Sequence, residues 1–305
     1  MTTVRDLGEF GLIKRLSKNI PLAGDDCAVL PGIDPKRFLL YTCDPVVEGI
    51  HFLQRTPPRQ VGWKAMARNL SDIAAMGGQP RWAVVSLGLR RTTSVRWVEQ
   101  LYAGLHAAAR EFGCVIVGGD TTHVGHEQFV VVAMIGEVEK THLVLRSGAK
   151  IGDSVLVTGT LGGSLHGKHL TFTPRINEAR WLTASFRVHS MIDVSDGLGS
   201  DLHRLVEANK LGIGFEIVAA EVPISRAARG SLHAALYDGE DFELLFTIDP
   251  RDVTELRTKW ARKFKLPLTE IGRVVRAAGT ITLINRVGTI QFLKPRGYDH
   301  FAQCR

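Results

Sequence analysis

Short apolar runs of strand length alternate with helix-length amphipathic stretches along the whole chain, and a sequence of that form folds as layered α/β units. Residues 37–44, 82–89, 114–117, 128–138, 154–158, 191–194, 214–218 and 242–247 read as strands, with a closing hairpin over 280–292. Helical spacing falls on residues 7–16, 63–76, 95–112, 198–208 and 253–264, and Leu22-Ala23-Gly24-Asp25-Asp26 reads as a turn. With 305 residues, the chain is about twice the usual domain size of roughly 150. Gly and charge break the pattern over residues 146–153, so the expectation is two α/β units, 1–140 and 141–305.

Composition removes several classes. Hydrophobic residues at 45% and charged residues at 23% are globular values, unlike those of disordered or collagenous chains. The longest wholly apolar run, residues 129–135, is far short of the roughly 20 residues that span a bilayer. Charges near the amino terminus argue against a signal peptide, so a cytoplasmic protein is expected. Cys27, Cys43, Cys114 and Cys304 form no C-x-x-C pair, which signals neither a disulfide framework nor a zinc site. The net charge of +7 suits nucleic acid or small phosphorylated substrates. Because the basic residues are scattered, with no Lys/Arg block and no aromatic-basic string, nucleic acid is disfavoured.

The acidic residues narrow the chemistry. Three apolar runs lead into aspartate, at Asp44, Asp120 and Asp193, and Asp25, Asp26 and Asp196 lie in similar Gly-flanked settings. Strand ends are where ligands collect in α/β proteins. Gathered carboxylates repel one another unless a cation intervenes, and hard oxygen ligands suit magnesium. Each Asp beside Gly is alone only turn or cap chemistry; as a set in a basic protein they point to a metal-nucleotide site. Asn69 and Asp72 share one face of the 63–76 helix. Trp63, Trp82 and Trp97 read as core.

Two glycine-rich stretches could cradle phosphate through bare backbone N–H groups: Gly118-Gly119-Asp120-Thr121-Thr122, and Thr158-Gly159-Thr160-Leu161-Gly162-Gly163. From Gly162 to Lys168 the spacing imitates a P-loop, but His169 stands where a magnesium-binding hydroxyl is required, so that reading is rejected.

These segments, with Glu48-Gly49-Ile50-His51-Phe52, Arg146-Ser147-Gly148-Ala149-Lys150, Asp193-Val194-Ser195-Asp196-Gly197-Leu198, Gly239-Glu240-Asp241-Phe242-Glu243-Leu244 and Gly297-Tyr298-Asp299-His300-Phe301, occur in an order that resembles the thiamine-monophosphate kinase family. That family lies in the ATP-binding superfamily that also holds aminoimidazole ribonucleotide synthetase. The resemblance runs along nearly the whole chain. It implies a two-domain α/β protein of the α+β type. The amino-terminal mixed-sheet domain would pair with its copy across a dimer, beside a carboxy-terminal α/β sandwich domain. It implies that Asp26, Asp44, Asp72, Asp120, Asp193 and Asp196 bind several Mg²⁺ ions with Thr42 assisting. Gly119, Asp120, Arg146 and Ser195 would contact ATP, and His51 and Glu240 the acceptor. Asp44, Asp72, Asp120, Arg146 and Asp196 would then carry catalysis.

The sequence departs from the family pattern in four places. Cys43 replaces a Thr, and a thiol is a poor magnesium ligand although its backbone carbonyl could serve. Asp238 replaces a Gly, and Pro295 stands at an aromatic position on the acceptor side, removing a stacking surface. The stretch between Gly167 and Pro174 is short. The implied reaction moves the γ-phosphoryl of ATP onto thiamine monophosphate. The alternatives are a related ATP-dependent synthetase or a kinase of another small phosphate, and a non-catalytic nucleotide- or nucleic-acid-binding protein.

Overall fold

The computed structural model describes residues 2–20, 24–209, 212–298 and 300–301, without the side chain of Phe10. Leu22, Ala23, Asp299 and Cys304, which figure in the sequence reading, lie outside the described residues. In chain order the first elements are α1 (Val4–Leu16), β1 (Ala28–Pro31), β2 (Arg37–Val47), α2 (Pro58–Ala75), β3 (Gln79–Leu89), α3 (Val95–Glu111), β4 (Val115–His123) and β5 (Phe129–Glu139). Then follow β6 (Ser154–Thr158), α4 (Ile176–Ser185), β7 (Val188–Asp193), α5 (Leu198–Ala208) and β8 (Ile213–Val218). The chain closes with α6 (Leu232–Tyr237), β9 (Leu244–Ile248), α7 (Val253–Lys263), β10 (Leu268–Arg276), β11 (Ile281–Ile284) and β12 (Ile290–Phe292). Among the described residues no helix is long and apolar enough to cross a membrane.

Two compact units form, each from separated stretches: one from Val29–Val144 with His166–Arg187, the other from Met1–Ala28, Leu145–Leu165 and Val188–Arg305. The chain passes between them at Ala28/Val29, Val144/Leu145, Leu165/His166 and Arg187/Val188. Nothing in composition marks the exchange of 1–28 and 166–187.

The first unit holds a mixed five-stranded sheet, ordered β1-β2-β5-β3-β4. β2 pairs antiparallel with β5 without a break from Arg37↔Glu139 to Val47↔Phe129. β3 is antiparallel to β5 but parallel to the edge strand β4. Leu40, Val46, Val85, Val130, Val132 and Met134 are buried on one face, which α2 covers with Ala65, Met66, Leu70 and Ile73. α3 crosses α2 backbone to backbone. A Cβ on Gly62 would stand 2.0 Å from the Leu101 carbonyl oxygen, and one on Gly104 would stand 1.9 Å from that of Arg59, so both positions exclude a side chain. Trp82 corrects the core reading: it is 45% exposed on the outer face of β3. Trp63 is half-buried and donates Nε1–H to the Phe172 carbonyl at 2.8 Å.

The second unit holds a seven-stranded sheet, ordered β12-β11-β8-β10-β6-β9-β7, in which only β11 and β8 pair in parallel among the pairs described. Leu198, Leu202 and Leu205 of α5 pack on Val155, Val157, Ile192, Phe215 and Ile217. Thus the mixed α/β, two-sheet architecture is as expected, whereas two of the three aspartates are not at strand ends. β2 continues past Asp44 to Val47 and β4 past Asp120 to His123, because β5 and β3 extend their ladders alongside; only Asp193 closes its strand.

Candidate active site

In the first unit, period-2 alternation sorts the candidate residues by face. Thr42 and Asp44 turn toward α2. The Thr42 hydroxyl donates to Asp72 Oδ2, and Arg68 Nε donates to Asp44 Oδ2 at 2.9 Å. Cys43, between them, projects its thiol from the opposite face and is exposed, so the expectation that it joins Thr42 and Asp44 reduces to its backbone. Asp120 lies opposite Ser86, Ser86 opposite Val131, and Val131 opposite Pro45, which puts Asp120 on the face of Cys43, away from α2. The preceding Gly119 is pressed on β3: a Cβ there would stand 1.9 Å from the Val85 carbonyl oxygen. This glycine therefore serves strand pairing, whatever else it contacts.

His51 is 6% exposed in the turn after β2. Its Nδ1 accepts the Val47 N–H at 3.1 Å, which places the ring proton on Nε2. Sequence reading missed Lys64, a wholly buried ammonium on α2. Lys64 Nζ donates to the His51 carbonyl at 2.8 Å and lies 2.9 Å from His169 Nδ1. No local signal marks Lys64, because helical spacing puts it on an otherwise apolar face.

The second unit holds Asp25, Asp26, Arg146, Asp193 and Asp196. Arg146 reaches Asp26 with both arms of its fork, Nη2 at 2.7 Å from Oδ1 and Nε at 3.3 Å from Oδ2, while its backbone N–H donates to Asp25 Oδ1 at 2.6 Å. Asp26 and Asp193 bring carboxylate oxygens within 4.8 Å of each other. Burial works against the Arg146 charge, yet Asp26, Asp193 and Asp201 outweigh it and hold the guanidinium more firmly protonated than usual. Asp201, also missed from sequence, is 1% exposed in the first turn of α5 and accepts the Asp196 N–H at 3.2 Å. Burial, then the charges of Asp196 and Asp193, push its carboxyl well above the usual range.

The 239–243 segment locks onto the loop after β7. Glu240 N–H donates to the Ser195 carbonyl at 2.7 Å and Phe242 N–H to that of Val194 at 2.8 Å. Glu240 and Phe242 both take the left-handed backbone, φ +54° and +51°, a conformation that for such residues costs about 1–3 kcal/mol and concentrates at functional sites. Ser195, Asp196 and Glu240 are thereby brought together. Tyr298 N–H donates to the Asp196 carbonyl at 3.2 Å, so the carboxy-terminal segment packs there too. Pro295 is exposed, and among the rings this segment offers is Tyr298, 44% exposed.

The second glycine stretch is not a phosphate cradle. The Gly162 N–H donates to Asp241 Oδ2 at 2.8 Å and the Gly163 N–H to Asp238 Oδ2 at 2.9 Å, while the Gly159 and Leu161 amides serve Pro267 and Pro223 carbonyls. Lys168 opens a three-residue helical turn rather than the long helix a P-loop needs. Asp238, which stands where the family pattern has Gly, is turned onto this loop.

The side chains named for the metal fit magnesium in kind, being all hard oxygen. On α2, three residues before Asp72, Asn69 is fully buried, donates Nδ2–H to Ala65, and leaves Oδ1 without a hydrogen-bond partner among the described residues.

Comparison with known proteins gives the family. Residues 24–138 match the AIR synthase related protein, N-terminal domain, and residues 157–284 the corresponding C-terminal domain. The chain is 34% identical to the thiamine-monophosphate kinase of Aquifex aeolicus, covering 98% of this chain and 99% of that one. It is 37% identical to that of Rhodopirellula baltica over 91% of this chain and 90% of the other. The structure of AaThiL complexed with AMPPCP and TMP superposes with a TM-score of 0.84 at 33% identity, over 98% of this chain and 99% of that chain. By sequence over nearly its full length and by fold, the chain belongs to the thiamine-monophosphate kinase family.

Proposed function

We propose that the protein transfers the γ-phosphoryl group of ATP to the phosphate of thiamine monophosphate, giving thiamine diphosphate and ADP. The observation that carries this reading is the end-to-end likeness, in sequence and fold, to a protein whose structure holds an ATP analogue and TMP. An acceptor phosphate is already an anionic oxygen nucleophile at neutral pH, so the chain has no need of a general base. Its task is alignment and charge compensation between two polyanions. Arg146, held in place by Asp25 and Asp26, would meet the ATP phosphates with Gly119, Asp120 and Ser195. His51, with its proton on Nε2, and Glu240 would meet the acceptor, and the exposed Pro295 would form part of its rim. Asp26, Thr42, Asp44, Asp72, Asp193 and Asp196 would hold magnesium, which when bound neutralises phosphate charge and orients the transferring group; Asp120, on the sheet face opposite Thr42 and Asp44, would serve ATP alone.

The same reading makes the protein a cytoplasmic homodimer. Incubation with Mg²⁺, ATP and thiamine monophosphate tests it: thiamine diphosphate should appear in step with ADP. ADP without thiamine diphosphate, or release only with another phosphorylated acceptor, would reject the acceptor named here.

A further inference from the structure

We infer that Asn209 is a positioning residue for Arg146, acting on it through the main chain; the inference rests on the reading of Arg146 as an ATP contact. Asn209 caps the C-terminal end of α5. Its Oδ1 accepts two amides of the Arg146 loop, Gly148 N–H at 2.7 Å and Ala149 N–H at 3.0 Å. Its Nδ2 donates to the Arg146 carbonyl at 2.9 Å and to the Leu205 carbonyl at 2.7 Å. Only one orientation of the amide satisfies all four, since the reverse would aim N–H at N–H and oxygen at oxygen. The side chain is thus a two-sided clip between a loop and a helix.

The consequence for Arg146 is geometric. Its N–H is held by Asp25 Oδ1 and its C=O by Asn209 Nδ2, so both peptide planes that set the direction of its side chain are tethered. The loop has little other freedom. Gly148 takes φ +115° with its α-carbon facing β7, where a Cβ would stand 2.4 Å from the His189 carbonyl oxygen. Beyond it, Lys150 N–H donates to Asp153 Oδ2 at 2.8 Å. A long side chain amplifies any rotation at its root, and misplacement of a phosphate-aligning group costs binding. The helix that Asn209 caps begins just after Ser195 and Asp196, so the clip also fixes Arg146 relative to those two residues.

The test is a double-mutant cycle on the full-length protein, reading the dissociation constant for MgATP at equilibrium and, separately, the KM for thiamine monophosphate. Asn209→Ala should weaken MgATP binding about tenfold, equivalent to 1.4 kcal/mol, and change the KM for thiamine monophosphate less than about twofold. Added to Arg146→Ala, it should weaken MgATP binding by less than about twofold more, because a residue that acts through another has nothing left to act on. A further tenfold loss in that background would mean that Asn209 merely supports the fold, and would overturn the inference. So would unchanged binding in Asn209→Ala alongside a clear loss in Arg146→Ala. If Arg146→Ala itself binds MgATP normally, the ATP-contact reading fails and the inference with it, a result distinct from the other two. Asn209→Asp keeps the two acceptor bonds and supplies the same cycle should the alanine variant not fold.

Discussion

Arg146 and Asp26 form a forked ion pair, 2.7 Å and 3.3 Å across its two arms, in which the Asp26 side chain is only 2% exposed. Removing one partner of such a pair leaves a buried charge uncompensated and costs about 3–5 kcal/mol. Arg146→Met should therefore lower the melting temperature as well as ATP affinity, since Asp26 and Asp193 lose their cation. Thermal denaturation with and without Mg²⁺ checks this: the ion should restore part of the loss in the variant, and an equal response in both proteins would count against the metal assignment.

Asp72→Asn and Asp44→Asn should both abolish turnover but differ in stability. Asp44 is engaged by Arg68 at 2.9 Å, so its substitution gives up an ion pair. Asp72 accepts from the Thr42 hydroxyl, a bond the asparagine oxygen can keep. Without Mg²⁺, Asp72→Asn should melt within about 1 °C of the parent, a shift worth less than roughly 1 kcal/mol, and Asp44→Asn should melt lower. Magnesium-dependent turnover retained in both variants would remove the two carboxylates from the metal site.

Lys168→Ala should change ATP affinity by less than about twofold, against tenfold or more for Arg146→Ala. The Gly162 and Gly163 amides already serve Asp241 and Asp238, so the loop before Lys168 has none of those donors for phosphate. Side-by-side titration with MgATP decides it; comparable losses would revive the P-loop reading.

Glu139 supplies a pH dependence. Its hydrogen bond from Arg180 at 2.6 Å, above all, holds its carboxyl down at about 2 against an ordinary 4.5. A depressed carboxylate contributes stability that is present above the unfolded value and lost as pH falls through the folded one. The contribution should fade between about pH 4.5 and about 2. Arg180 also donates to the Gly77 carbonyl at 3.1 Å. Melting curves of the parent and Glu139→Gln should differ at pH 7 and converge near the bottom of that range; a constant difference would show that the pair carries no proton linkage.

Legibility followed the range of the interactions. α5 was read with its observed bounds because Leu198, Leu202 and Leu205 recur at helical spacing after Gly197. β10 went unread because Pro267, Gly272, Glu270 and Arg273 break its alternation; the strand exists because β6 and β8 flank it, and a bulge at Glu270/Gly272 absorbs the irregularity. The acidic residues were visible as a set, while the face each would occupy depended on ladder register, which no local pattern encodes. Asp201, Lys64 and Asn209 take their roles from partners 5 to 105 residues away, so composition around them is silent. The 158–163 glycines read locally as a phosphate cradle, and only the fold reveals that Asp241 and Asp238 take the Gly162 and Gly163 amides.

The discontinuity of the two units has a bearing on biosynthesis. Residues 1–28 leave the ribosome before Val29–Val144 yet belong with a unit whose remaining chain starts at Leu145, and the unit begun at Val29 waits for the stretch up to Arg187. The sheet begun at Val29 is complete by Glu139 and lacks only α4, whereas residues 1–28 meet the rest of their unit only after the intervening stretch from Val29 to Val144 has been made, a long loop whose closure must be met before its contacts give anything back. Cutting the gene at the apparent midpoint should therefore give two fragments that are insoluble when expressed separately and fold only when produced together.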